Sequence, residues 1–199
     1  MKKSKAILMV VCAMLLVAAS VMGTLAYLTS QASVTNTFSV GKVAITMDEA
    51  KVDEYGNPVL DENKNPVPRV TTNGYKLVPG HTYTKDPTIH VQAESENCWV
   101  FAKIENGLGT DATLNMNDDF IQLVVDGKNV EGVYYYKNIV NYSANVTDLE
   151  VFSEFTFGQN ANPATYKNAN IKVTGYAIQA DGFGTAEAAW KVSGFDTTT

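Results

Sequence analysis

After residue 38, apolar and polar positions alternate with a period of two along most of the chain, which predicts strands rather than helices. In residues 38–47, Phe38, Val40, Lys42, Ala44 and Thr46 fall on one side and Val43, Ile45 and Met47 on the other. This predicts a half-buried strand, closed by the charges of Asp48 and Glu49. Residues 88–93 repeat the pattern, with Ile89, Val91 and Ala93 on one face and His90 and Gln92 on the other. Residues 98–105 are the most apolar of these stretches. Cys98, Val100, Ala102 and Ile104 make one face, and Trp99 and Phe101 lie opposite beside Lys103 and Glu105. That composition predicts a central strand, buried on one side and partly covered on the other.

Residues 106–119 are polar and predict a loop or a short helix. Residues 120–125 and 130–140 flank Asp126-Gly127, a tight-turn dipeptide between apolar runs, and so predict a hairpin. Residues 149–157 predict a further strand with Leu149, Val151, Phe155 and Phe157 on one face. Residues 170–180 predict a last long one, with Ile171, Val173 and Ala177 set against Tyr176 and Ile178. Asp181-Gly182-Phe183-Gly184 ends it, and Thr185 is placed to cap a short helix running to Trp190. Seven or more short strands with turn signals between them predict an all-β two-sheet sandwich with a short C-terminal helix. The pattern leaves jelly-roll and immunoglobulin-like strand orders both open.

Residues 50–70 break the rhythm. Asp53-Glu54-Tyr55-Gly56-Asn57-Pro58-Val59 is nearly repeated as Asp61-Glu62-Asn63-Lys64-Asn65-Pro66-Val67, and the Asn-Pro steps are turn chemistry. The expectation is an exposed loop or hairpin insertion. A calcium loop is disfavoured: Asp61, Asn63 and Asn65 fit the template, but Pro66 stands where it needs Gly and Thr72 where it needs Glu.

The start of the chain has a different character. Lys2, Lys3 and Lys5 precede an uncharged apolar run, residues 6–22, and small residues follow, with Thr24 and Ala26 at positions −3 and −1 of a cut before Tyr27. This is a signal-peptide layout, so residues 1–26 are expected to form a signal helix and residues 27–199 one sandwich domain. The run is short for a bilayer span, and no lasting membrane span is expected after cleavage. Met9-Val10-Val11 before Cys12 does not make a lipoprotein box.

Composition narrows the function. The formal net charge is −6, and three of the lysines lie before the apolar run, so the mature surface is more acidic still. Such a surface argues against nucleic-acid binding, which needs basic patches. Cleavage removes Cys12 and leaves Cys98 alone, with no intramolecular disulfide to support the core. Catalytic motifs are absent. The two histidines, His81 and His90, are nine apart with Pro87 between them, unlike the paired ligands of a zinc helix. A Cys98–His90 nucleophile pair would need an exposed thiol, whereas Cys98 sits in an apolar strand. No catalytic, metal or cofactor residues are assigned.

Residues Gly23-Thr24-Leu25-Ala26-Tyr27-Leu28-Thr29, Asn36-Thr37-Phe38 and Gly41-Lys42-Val43-Ala44-Ile45 resemble the signal peptide and mature N-terminus of the TasA/camelysin family. The Pro79-Gly80 turn, the Lys85-Asp86-Pro87 step and the ending 176–190 are also similar. The family often carries an Asp soon after the aromatic residue, where this chain has Ser30-Gln31. The resemblance implies a jelly-roll sandwich, a SipW-type signal peptidase cutting between Ala26 and Tyr27, and secretion from a Gram-positive cell. It also implies assembly into cell-surface or biofilm-matrix fibres by strand exchange. Residues 27–38 suit a donor strand, being free of Gly and Pro. The camelysin branch implies a surface metallopeptidase as an alternative. A monomeric surface-binding module presenting Trp99, Tyr134 or Tyr136 is a third reading.

Overall fold

The alternation in residues 98–105 becomes β4 (Cys98–Asn106), and its two faces set the layers of the molecule. Cys98, Val100, Ala102 and Ile104 point inward. They pack with Ile89, Val91, Leu149 and Val151 of the facing sheet. Trp99 and Phe101 point outward and are covered by the C-terminal helix, Ala186–Ser193, through Ala189 and Trp190. The computed structural model describes residues 9, 11–16, 42–144 and 146–195, and the chain divides into one unit of residues 1–39 and another of 40–199. In the first unit residues 11–16 are helical, within the run expected to be the signal helix. The expected cut between Ala26 and Tyr27 and the segment 27–41 lie outside the described residues. No helix among the described residues is long and apolar enough to cross a membrane.

In the second unit ten strands are described: β1 (Ile45–Asp48), β2 (Thr82–Thr84), β3 (Thr88–Val91), β4, β5 (Ala112–Met116), β6 (Phe120–Val125), β7 (Lys128–Tyr136), β8 (Asp148–Glu150), β9 (Phe152–Phe157) and β10 (Ile171–Gln179). All the pairings are antiparallel, and the ladders run β10-β4-β7-β6, β1-β3-β8 and β2-β9-β5. The last two are continuous with each other. Val151 N–H donates to Pro87 O at 2.9 Å and Lys85 N–H to Ser153 O at 3.1 Å, bridging the gap between them. Pro87 has no N–H for a ladder bond and Val151 opposite it is a bend, so two long strands turn there and cross from one ladder to the other.

The result is an all-β two-sheet sandwich with a short C-terminal helix. Counting β2 with β3 and β8 with β9 reduces ten strands to eight, in the orders 1-2-7-4 and 8-3-6-5. The triplets 2-7-4 and 8-3-6 are those of a jelly roll. Strands 1 and 5 depart from it, each lying beside its hairpin neighbour in the opposite sheet.

Three expectations are corrected in detail. Residues 106–119 hold a strand, β5: Ala112, Leu114 and Met116 face the core, an alternation obscured by the polar residues around it. The expected single strand 149–157 divides at a bend at Val151; its expected face, Leu149, Val151, Phe155 and Phe157, is buried throughout, and Phe152 is buried as well. The second hairpin arm stops at Tyr136, and Val140 makes only an isolated bridge to Cys98.

The repeat in residues 53–67 is structural. Asp53 Oδ1 accepts from the backbone N–H of Tyr55 and Asn57, each at 2.9 Å, and Asp61 Oδ1 accepts from Asn63 and Asn65, each at 2.8 Å. Gly56 (φ 80°) and Lys64 (φ 66°) take the left-handed position in the two copies. The insertion is thus a small meander turned twice by the same Asp-anchored motif.

Thr185 caps the C-terminal helix by accepting from Ala188 N–H at 3.2 Å, and Gly194 ends it at φ 66°. Phe101 is fully buried against Trp190, ring centroids 5.0 Å apart. Phe101→Ala should cost about 3–5 kcal/mol of stability. Thr185→Ala should cost about 1 kcal/mol. Urea denaturation of the two variants beside the parent checks both the size and the order of these effects.

Candidate functional site

On one flank of the sandwich two strand edges are open. Among the described residues β10 pairs only with β4 and β1 only with β3. The two strands approach across the interior: a Cβ placed on Gly175 of β10 would lie 3.2 Å from Met47 Cε of β1 and 3.2 Å from Ile89 Cδ1. Glycine here allows the sheets to close. Towards the β10 N-terminus they diverge, and a cavity of about 810 Å³ opens between them. Its apolar lining includes Met47, Leu77, Leu108, Phe155, Ile171 and Val173, and its polar lining includes Asn73, Lys76, Lys167 and Lys172. The extended segment 71–77 runs along one wall. Tyr75 anchors it, with its ring edge-on to Tyr83 and Phe155 and its hydroxyl donating to Thr84 O at 3.0 Å. Burial pushes the Tyr75 phenol pKa up, and the charges of Glu49 and Asp86 add to this, so it stays a protonated donor.

Beside the cavity lies a polar knot. Glu49 is 4% exposed; its Oε2 accepts from Lys85 Nζ at 2.5 Å and its Oε1 from Asn73 Nδ2 at 3.0 Å. Asn73 Nδ2 also donates to Ala50 O at 2.8 Å, and Asn73 Oδ1 accepts from Val52 N–H at 3.1 Å. Next to this, Arg69 bonds Asp48, Asp86 and Thr88 Oγ1, while Asp86 Oδ1 accepts from Ala50 N–H at 2.6 Å. Every described buried side-chain polar atom has a partner. These bonds fasten the end of β1, the segment 71–77 and the β2–β3 bend together.

On the outer face of the same sheet His90 links three strands. Its Nδ1 lies 2.8 Å from Asp148 Oδ1 on β8 and its Nε2 lies 3.0 Å from Asp48 Oδ1 on β1. Both nitrogens can donate only in the imidazolium form. Partial burial opposes that charge, but the hydrogen bonds to Asp148 and Asp48, with their charges, outweigh it and raise the pKa above the ordinary value. Asp48 shows the matching shift: burial raises its pKa, while bonds to Arg69 and His90 lower it further than that.

The residues singled out in the sequence fall in separate places. His81 sets Nε2 2.9 Å from Tyr55 O and its ring on Tyr83, so the two histidines serve different partners. Among the described residues no group of three His, Cys, Asp or Glu side chains could hold a metal ion. Cys98 is fully buried on the inner face of its sheet, and burial pushes its thiol pKa up to about 11, whereas His90 is on the outer face of the other sheet. Trp99 and Tyr136, offered as exposed stacking platforms, are both buried, and Tyr134 packs against the core. Asp61, Asn63 and Asn65 close a turn among themselves. Glu49, Asn73 and Lys85 were not singled out; they are 24 and 12 residues apart in the chain, with no local spacing to mark them. Set against protein-family models, curated proteins and solved structures, the chain matches none.

The His90 bridge gives a pH dependence of known sign. Its pKa is raised in the folded state, so its contribution to stability is fully present below the unfolded value, about 6.5, and is lost as pH rises through the folded value. Thermal unfolding should therefore show a fall in Tm on crossing that window towards higher pH. His90→Gln should remove this component, and a parallel fall in the variant would contradict the assignment.

Proposed function

We infer that the protein is a secreted structural component of the cell surface or biofilm matrix that assembles by adding a strand from one copy to the sheet of the next. In this reading residues 1–26 direct export, a SipW-type peptidase cuts after Ala26, and residues from Tyr27 become a free arm. The observation that carries it is the open flank. Among the described residues β10 has an unpaired edge beside a cavity with an apolar lining, and the outer edge of β1 on that same flank is unpaired by any strand as well. An unpaired edge is a template for a strand from another chain. The jelly-roll departure supports the reading, since the place beside strand 8 that strand 1 fills in a complete jelly roll is vacant among the described residues. The residues 27–38, which include Tyr27, Thr29, Val34, Thr35, Thr37 and Phe38 and lack Gly and Pro, have the composition of a strand.

Protein beginning at Tyr27 should grow into large particles by light scattering, and an excess of a peptide spanning residues 27–41 should cap the edge and suppress that growth. A protein with Tyr27 at its start that stays monomeric at high concentration contradicts the proposal.

A further inference from the structure

The Glu49 knot places an amine and a carboxamide on the same buried carboxylate. Lys85 Nζ lies 2.5 Å from Oε2 and Asn73 Nδ2 lies 3.0 Å from Oε1, with the Lys85 and Glu49 side chains only 11% and 6% exposed. A buried ion pair costs desolvation that its attraction does not readily repay, and hydrophobic replacements often serve stability as well. The arrangement does, however, contain every part of an acyl transfer: a nucleophile, an electrophile, an acid/base between them and a donor on the carbonyl oxygen. That donor is Val52 N–H, 3.1 Å from Asn73 Oδ1. The electrophile is held from both ends, because Asn73 Nδ2 also donates to Ala50 O at 2.8 Å.

We propose that Lys85 and Asn73 form an intramolecular isopeptide bond, with Glu49 as the acid/base that drives it. Lys85 gives a proton to Glu49 and becomes a neutral amine. Its Nζ attacks Cγ of Asn73, and the developing oxyanion is met by Val52 N–H. Glu49 relays a proton from the attacking nitrogen to Nδ2, the Cγ–Nδ2 bond breaks, and ammonia leaves. Ammonia takes the remaining proton, so the sum is a lysine ammonium and a carboxamide giving a secondary amide and an ammonium ion, with Glu49 restored as carboxylate. No oxidant, metal or cofactor enters the balance. The bond would fix the segment 71–77 to the β2–β3 bend and make one wall of the cavity a covalent loop. With Cys98 the single cysteine of residues 27–199, this supplies a staple that a disulfide cannot.

The test is the intact mass of the purified folded protein, followed by sequencing of its tryptic peptides. The expected mass is lower than the sequence mass by about 17 Da, one ammonia. Lys85 should resist trypsin and appear in a branched peptide joined to the one containing Asn73. Glu49→Gln and Lys85→Met should keep the full mass; because either variant can fail to fold, the parent's mass and branched peptide decide the matter alone. Full mass in the folded parent overturns the proposal. So does the same loss with Lys85 still cleaved, since Asn73-Gly74 can lose ammonia as a succinimide without touching Lys85. Formation of the branched peptide in folded Glu49→Gln at the parent's rate overturns the role of Glu49.

Discussion

The burial of both faces of β4 is the constraint from which the architecture follows. A strand that is apolar on both faces, as β4 is from Cys98 to Ala102, must be covered twice, and this chain does so with two different partners. The facing sheet covers Cys98, Val100, Ala102 and Ile104, and the C-terminal helix covers Trp99 and Phe101. The neighbours of β4 inherit the same division. β10 sends Val173 and Ala177 inward and Tyr176 and Ile178 outward under the helix. Because the core rests on this central ladder, the outer edges of the sandwich are under less demand, and β1 and β10 leave theirs unpaired among the described residues.

The other sheet solves a different problem. Its two long strands bend at Pro87 and Val151 to serve both the central core and the separate aromatic cluster of Tyr83, Phe155 and Phe157. A bend opens space, and the space is bounded by polar bonds instead of a ladder. Glu49, Lys85 and Asn73 on one side, and Arg69 with Asp48 and Asp86 on the other, tie the bend to β1 and to the segment 71–77. The cavity, the open flank and the candidate cross-link thus share one origin in the switch of strands between ladders.

Much of this was legible in the sequence wherever burial follows a period of two. The faces of β4 and β10, the Asp126-Gly127 turn and the Thr185 cap are local features, and each was read from residues within one strand or turn of the chain. β5 was missed because five alternating residues, Ala112–Met116, sit in a polar setting. The division at Val151 left no mark in the sequence because the bend keeps the apolar alternation of Leu149, Val151, Phe155 and Phe157 intact. The polar knot had no signature at all. Glu49 reads as a charge ending a strand and Lys85 as part of the Lys85-Asp86-Pro87 step, Asn73 carries no reading of its own, and only the fold brings Lys85 and Asn73 to the Glu49 carboxylate. His90 was seen as a histidine on a strand face, but its two aspartates come from β1 and β8, 42 and 58 residues away.

The account joins export, an open flank and strand addition into one claim, and the most direct measurement takes all three together. Protein collected from the medium of producing cells would be sequenced from its N-terminus and the same sample viewed by electron microscopy. The account predicts Tyr27 as the first residue and extended fibres in the image. Dispersed single particles that begin at Tyr27, or fibres built from chains still carrying residues 1–26, would contradict it.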